Sequence, residues 1–390
     1  MRAMNVRLGS ERLLASGTLK KKRVGIVSNP ASIDANFQHI VRAIASAPDV
    51  TLAAIFGPQH GYRADVQDNM IETGHVNDPT RGVPVYSLYS ETREPTREML
   101  KGLDVLVIDL QDVGSRIYTF VYTMANCLRA CRKHGVPVIV TDRPNPIGGE
   151  RIDGPMLVED FESFVGQFPI LLRHGMTIAE LARFFNEACG IGADLTVVAM
   201  ENWQRWMFYE DTHLPWVMPS PNVPTIDTAV VYPGTVLFEG TNVSEGRGTT
   251  RPFELIGAPW VDAEALAEKL ATYDLPGVRF RPVVFEPTFQ KHAKQACGGC
   301  QIHVLNRGTF PVVEAAIAVL VEIRAQNPAA FAWRQPPYEY EHTKLPFDIL
   351  AGSSELRQQI EADQPVRRIS ESWAREHERF RTARKPYLLY

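Results

Sequence analysis

No uninterrupted apolar stretch in this chain approaches the roughly 18 residues that a membrane helix needs. The opening MRAMNVRLGSERLLASG also lacks the apolar centre of a signal peptide. A cytoplasmic protein that does not enter membranes is the expectation. An excess of one charge is missing too: 41 basic and 45 acidic residues leave a net charge of −4. That balance supplies neither a field for nucleic acid nor a solvating tail. Cysteine is scarce, and five make an odd count for a disulfide framework. Cys127 and Cys131 share one face of a predicted helix and read as small buried hydrophobes. The CGGC of residues 297–300 has no second pair to complete a zinc ribbon. It runs into strand-like QIHVLN, whereas a redox CxxC usually opens a helix. Familiar signatures are absent as well: no GxGxxG after a strand, no GxxxxGK[ST], no HExxH and no GxSxG. Dinucleotide, nucleoside-triphosphate, zinc-protease and serine-hydrolase chemistry lose their support, and no cofactor or metal is expected.

What is present is a globular composition, 45% hydrophobic and 22% charged over 390 residues, with room for two or three domains. Up to about residue 200, apolar runs alternate with helical spacing. RVGIVSNP, TLAAIFGP, VPVYSLY, DVLVIDLQD, VPVIVTDRPNP and DLTVVAM read as strands. FQHIVRAIASA, REPTREMLKGL, YTFVYTMANCLRACRKHG and MTIAELARFFNEACG read as helices, the last with Thr177 as N-cap and Gly190 past its end. Strands apolar throughout and separated by helices predict a parallel sheet covered on both faces. The fold class is therefore α/β, a Rossmann-like doubly wound, mostly parallel sheet. The prolines of PSPNVP fit neither a helix interior nor a central strand. A boundary there gives a first domain over 1–215 and a smaller α+β domain over 216–390. In the second domain VVYPGTVLFEG, VRFRPVVFEPTF and GCQIHVLN read as strands, and PVVEAAIAVLVEIRAQ as a helix.

In open parallel sheets, ligands bind beyond the carboxyl ends of the strands. Polar residues collect at those tips: Asn29 after the first strand, Gln59, His60 and Arg63 after the second. Asp109, Gln111, Asp112 and Arg116 follow the strand before the long helix, and Asp142, Arg143 and Asn145 the next. Each tip alone is an ordinary turn; four on one edge, with Arg and His mixed in, predict a pocket. The second domain adds FEGTNVSEGRGTTRPFE, carrying Glu239, Asn242, Glu245 and Arg247, a loop of functional length. Gly246 and Gly248 there are positioned to let backbone approach a ligand. Carboxylates, amides and arginines around a cleft suit a sugar, with acids for proton transfer and Arg for an anionic substituent. Tyr118, Phe120 and Tyr122 read as core, and His174 as structural.

At FGPQHGYR, LQDVGSRIYTF, TDRPNPIGG, PSPNVP and FEGTNVSEGRGTTRPFE the chain resembles the bacterial exo-β-N-acetylmuramidases over nearly its whole length. The resemblance implies a Rossmann-like domain joined to a smaller auxiliary domain, with the cleft between them. It also implies release of N-acetylmuramic acid from the non-reducing end of peptidoglycan fragments. Many relatives carry Glu where this chain has Gln59, and an amide cannot exchange a proton as a carboxyl does. The expected catalytic pair is then Glu239 with Glu72 moved into the gap, with Glu245 and Asp112 in reserve and Gln59 or Asp112 as a polar partner. Arg63, Arg116, Arg143 and Arg247 are candidates to hold the lactyl carboxylate of muramic acid. The expected partner is a small sugar or muropeptide, not nucleic acid and not a membrane.

Overall fold

The computed structural model describes residues 5–65, 67 and 71–390. Strands β1 (Arg23–Ser28), β2 (Thr51–Gly57), β3 (Val76–Asn77), β4 (Pro84–Ser87), β5 (Val105–Asp109) and β6 (Val138–Thr141) lie in the first part of the chain. β7 (Asp153–Met156) and β8 (Leu171–Arg173) pair apart from them, and β9 (Leu195–Val198) follows. The main sheet runs β3-β4-β2-β1-β5-β6-β9, parallel except for the β3–β4 edge. Alternate residues of one strand serve different cores. Val24 and Ile26 of β1, with Val105 and Val107 of β5, pack with Ile40, Val41 and Ile44 on one face. Val27, Leu106 and Ile108 meet Met124, Leu128, Ile178 and Leu181 on the other. This two-sided burial is why the strands read as unbroken apolar runs.

The second part holds an antiparallel sheet ordered β10 (Leu255–Ala258), β12 (Cys297–Val304), β11 (Val278–Phe285). Cys297 and Cys300 are buried in β12, all five cysteines are unpaired, and burial pushes the Cys300 thiol up to about 12. A thiol held so far from its thiolate is a poor redox nucleophile. The larger apolar cluster is continuous between the two parts, from Ile108 to Phe238, Ile302 and Leu320. No helix among the described residues is long and apolar enough to cross a membrane.

VVYPGTVLFEG departs from the expected strand. It forms a helix, Ile226–Thr235, continuing as a 3₁₀ turn, Val236–Gly240. Helix packing overrides β propensity here: the segment is buried all round against the Val312–Gln326 helix. Gly234 makes this possible, because a Cβ at that position would lie 2.3 Å from the Val312 carbonyl oxygen. Thr225 caps the helix, its side chain accepting from the Thr228 amide.

The strand tips are largely filled by the protein itself. Chain order reverses between β1 and β5, where a doubly wound sheet usually opens a ligand crevice. Here Arg143 donates twice to Asp109, Nε to Oδ1 at 2.8 Å and Nη2 to Oδ2 at 2.9 Å, with both side chains buried. Nη2 also donates to the Ile33 carbonyl. Asn29 donates to the Gln111 carbonyl, and Gln111 to the carbonyls of Asp112 and Pro144. Replacing Arg143 with Met leaves Asp109 buried and unpaired, a loss of about 3–5 kcal/mol. Urea denaturation should show that loss in Arg143→Met and a substantial recovery in the double variant Asp109→Leu/Arg143→Met.

Candidate active site

The cleft lies to one side of the switch point, where β2 ends and the second part of the chain closes over it. Its lining residues bound about 480 Å³ of space that opens to solvent. Gln59 and His60 come from the turn after β2, and Tyr118 and Thr119 from the entry to the Phe120–His134 helix. Asn222 lies in the proline-rich connection, Glu239 and Arg247 in the FEGTNVSEGRG loop, and Tyr338 and Glu339 in a late turn.

Glu239 is buried at the end of the 3₁₀ turn. Arg247 Nη1 lies 2.8 Å from its Oε1, and Tyr338 Oη donates to its Oε2 at 2.6 Å. The same Nη1 reaches Glu245 Oε1 at 3.0 Å, and Lys291 donates to Glu245 Oε2 at 2.8 Å. Burial alone would raise the Glu245 carboxyl, but the charges of Lys291 and Arg247 outweigh it and hold the value at about 2. Glu245 is thus a fixed anion that orients Arg247 and Lys291. Gly246 and Gly248 carry positive φ (77° and 81°), and a Cβ on either would strike protein backbone, Leu255 O or Phe289 O, at 2.7 Å. Their freedom serves the fold of this loop rather than the expected approach of backbone to a ligand.

Opposite Glu239 stands Glu339, a residue not anticipated from the sequence. Tyr89 Oη donates to its Oε2 at 3.1 Å and Gln59 Nε2 to its Oε1 at 3.4 Å. Gln59 is oriented in turn by Thr119, whose hydroxyl donates to Gln59 Oε1 at 2.7 Å. Burial and then the charge of Glu239 push the Glu339 carboxyl up to about 7, against the partial opposition of the Tyr89 and Gln59 hydrogen bonds and Arg247. The amide at position 59 therefore does not empty the site of acids; it hydrogen-bonds the acid that is there. Tyr338 and Glu341 exchange backbone hydrogen bonds of 2.9 Å, so Glu339 and Tyr340 are the two central residues of a tight turn. Both have positive φ, 44° and 68°, the pattern of a type I′ turn normally filled by Asn and Gly. Non-glycine residues held there cost roughly 1–3 kcal/mol each.

The remaining candidates are divided by the fold. Gln59, His60, Glu239 and Arg247 share the cleft. Glu72 does not join Glu239: its half-exposed side chain pairs with Arg93 at 3.0 Å and accepts from Tyr340 Oη at 3.2 Å. With Arg63 it lines a separate groove beside the β2–β4 edge. Arg116 is no sugar ligand as placed: fully buried, it donates to the carbonyls of Pro155, Ile170 and Leu350 and so ties the two parts of the chain together. Arg143 and Asp109 are spent on each other. Asp142 accepts from Thr177 Oγ1, Ala179 N and Tyr390 Oη, anchoring a helix start and the last residue. Asn145 bonds the Met176 carbonyl and the Ile147 amide, and Asn242 spans Ala330 and Ala332. Asp112 Oδ2 accepts from the Gly114 amide and lies 3.3 Å from His174 Nε2, and Asp112 is not one of the residues lining the cleft. Tyr118 and Phe120, expected as core, are buried yet also line the cleft, whereas Tyr122 is core alone. Glu339 sits in QPPYEYEHTKLP, a stretch with neither helical nor strand periodicity between two helices. That length of irregular chain was the available signal.

An open, doubly wound sheet closed by a smaller antiparallel unit, with two buried carboxyls lining the cleft, defines a two-part α/β protein. The chain belongs to the exo-β-N-acetylmuramidase family. The region described as "Exo-beta-N-acetylmuramidase NamZ, N-terminal" matches residues 24–227, and its C-terminal counterpart residues 230–390. Over 372 residues the chain is 47% identical to the peptidoglycan beta-N-acetylmuramidase NamZ of Bacillus subtilis (strain 168), covering 95% of this chain and 88% of that protein. Crystal structures of two DUF1343 family proteins from Bacteroides fragilis are also similar. One has a TM-score of 0.89 and 34% identity over the whole of both chains. The other has a TM-score of 0.77 and 30% identity over 99% of each.

The raised Glu339 carboxyl has a cost for folding that depends on pH. Its folded value of about 7 exceeds the ordinary 4.5, so its contribution is fully present below pH ~4.5 and is lost as pH rises through ~7. Glu339→Gln keeps a neutral side chain at every pH. Denaturation should find the variant more stable than the parent at pH 8, on the order of 3 kcal/mol, with the advantage gone at pH 4.5.

Proposed function

We propose that this chain is a glycoside hydrolase that releases N-acetylmuramic acid from the non-reducing end of peptidoglycan fragments. Family membership and the 47% identity to a peptidoglycan beta-N-acetylmuramidase support the substrate class. The observation that carries the chemistry is a buried carboxyl, Glu339, brought to about 7 beside Glu239. A general acid works best when its pKa lies near the working pH. Glu339 donates its proton to the departing glycosidic oxygen. Glu239, with a cation at 2.8 Å and a phenol at 2.6 Å, faces the positive charge that develops at the anomeric carbon. Gln59 and Tyr89 orient the acid; Tyr338 orients its partner. Glu245 and Lys291 hold Arg247 in place. His60 and Asn222 are positioned to meet sugar hydroxyls. The setting we propose is the recycling of wall fragments inside the cell.

Incubation with a chromogenic β-N-acetylmuramide, read by colour and by mass, should yield free N-acetylmuramic acid. Binding without release would make the chain a muramyl-sugar-binding protein, and a different product would make it another hydrolase or lyase. Glu239→Gln and Glu339→Gln should each lower turnover at least ~100-fold. In the parent, kcat/KM should fall as pH rises past about 7, where Glu339 loses its proton.

A further inference from the structure

The turn that carries Glu339 is strained, and its own short backbone contacts do not explain why it holds. Arg93 lies beside it. The guanidinium carbon is 4.5 Å from the centre of the Tyr89 ring and 4.4 Å from that of Tyr340, with Phe164 at 5.8 Å. The rings of Tyr89 and Tyr340 are 6.1 Å apart and inclined by 71°. One planar cation therefore serves two rings on different elements, Tyr89 just after β4 and Tyr340 in the late turn. Both rings belong to residues in contact with the acid or adjoining it: Tyr89 donates to Glu339, and Tyr340 follows it in sequence. Arg93 is itself fixed at both ends. Nη2 donates to Glu72 at 3.0 Å, and Nη1 to the carbonyl of Ser90. Glu72 accepts in addition from Tyr340 Oη, so it closes a ring of contacts through Arg93 and Tyr340.

We propose that Arg93 is the positioning residue for the acid Glu339: by binding Tyr89 and Tyr340 together it holds the 338–341 turn in its left-handed conformation and fixes the carboxyl in the cleft. Cation–π contacts of the guanidinium supply the geometry; a lysine ammonium keeps the charge but lacks the separate fixed donors that reach Glu72 and Ser90 together. This role rests on the reading of Glu339 as the acid. It also gives Glu72 a place, on the outer side of the clamp rather than in the chemistry.

The test compares Arg93→Ala, Arg93→Lys and Glu339→Gln on a chromogenic β-N-acetylmuramide over pH 5 to 9, with thermal unfolding of each variant. In Arg93→Ala, kcat should fall at least ~10-fold with KM changed less than ~3-fold. The limb of kcat that falls above about pH 7 should move to lower pH as a loosened Glu339 meets water. Arg93→Lys should recover part of kcat and part of the pH shift. Tyr340→Gly, which removes the side chain that resists positive φ, should lessen the further loss caused by Arg93→Ala. A kcat within twofold of the parent in Arg93→Ala overturns the proposal while leaving Glu339 as the acid. So does a loss of activity that only follows lowered thermal stability, with the pH limb unmoved. Normal turnover in Glu339→Gln overturns both readings.

Discussion

Two carboxyl groups facing one arginine across a desolvated cleft set the terms for the rest of this protein. In such a place two anions repel, and one cation cannot serve both equally. The asymmetry follows from contacts. Arg247 and Tyr338 meet Glu239 at 2.8 and 2.6 Å, while among the described residues Glu339 is hydrogen-bonded by a phenol and an amide at the longer distances of 3.1 and 3.4 Å. The more weakly supported carboxyl keeps its proton to about pH 7. Two chemically identical side chains thereby come to differ in their hold on a proton, as environments arrange elsewhere in glycosidases. Glu245 is a third carboxyl nearby, held at about 2 by Lys291 and Arg247; its part is to keep the cation in place.

The sheet supplies rigidity and one wall, not the usual binding crevice. The reversal point between β1 and β5 is closed by the Arg143–Asp109 pair and the Asn29–Gln111 chain of hydrogen bonds. Arg143 and Asp109 satisfy each other there, whereas Gln111 Oε1 is buried without a hydrogen-bond partner among the described residues. The cleft lies instead at the β2 tip, where Gln59 reaches across to Glu339 of the second part. Arg116, bonded to carbonyls from both parts, keeps the two walls in register. A single continuous apolar cluster under both makes the cleft a fixed feature of the packing.

Where local pattern coincided with tertiary demand, the sequence was transparent. TLAAIFGP and DVLVIDLQD are strands because two-sided burial needs continuous apolar residues, and Thr177 caps a helix because its hydroxyl meets an amide three residues on. VVYPGTVLFEG misled because a run of β-branched residues looks alike in a buried strand and a buried helix; Gly234 against Val312 decided between them. The strand-tip arginines were legible as a polar edge, but whether each faced a ligand or an internal partner depended on backbone carbonyls more than a hundred residues away in two cases, Ile33 for Arg143 and Leu350 for Arg116.

By itself the sequence determined the class of fold, the helices and most strands, and Glu239 and Arg247 as cleft residues. Each of these is written in neighbouring residues, through periodicity, capping and motif. Only the folded chain decided that Glu339 rather than Glu72 stands across from Glu239. The two lie 267 positions apart in sequence; Glu339 is buried against Tyr89 and Gln59, while Glu72 is half-exposed against Arg93 and Tyr340. A carboxyl becomes an acid at neutral pH through the water it loses and the charges it faces, and both are properties of the packed molecule.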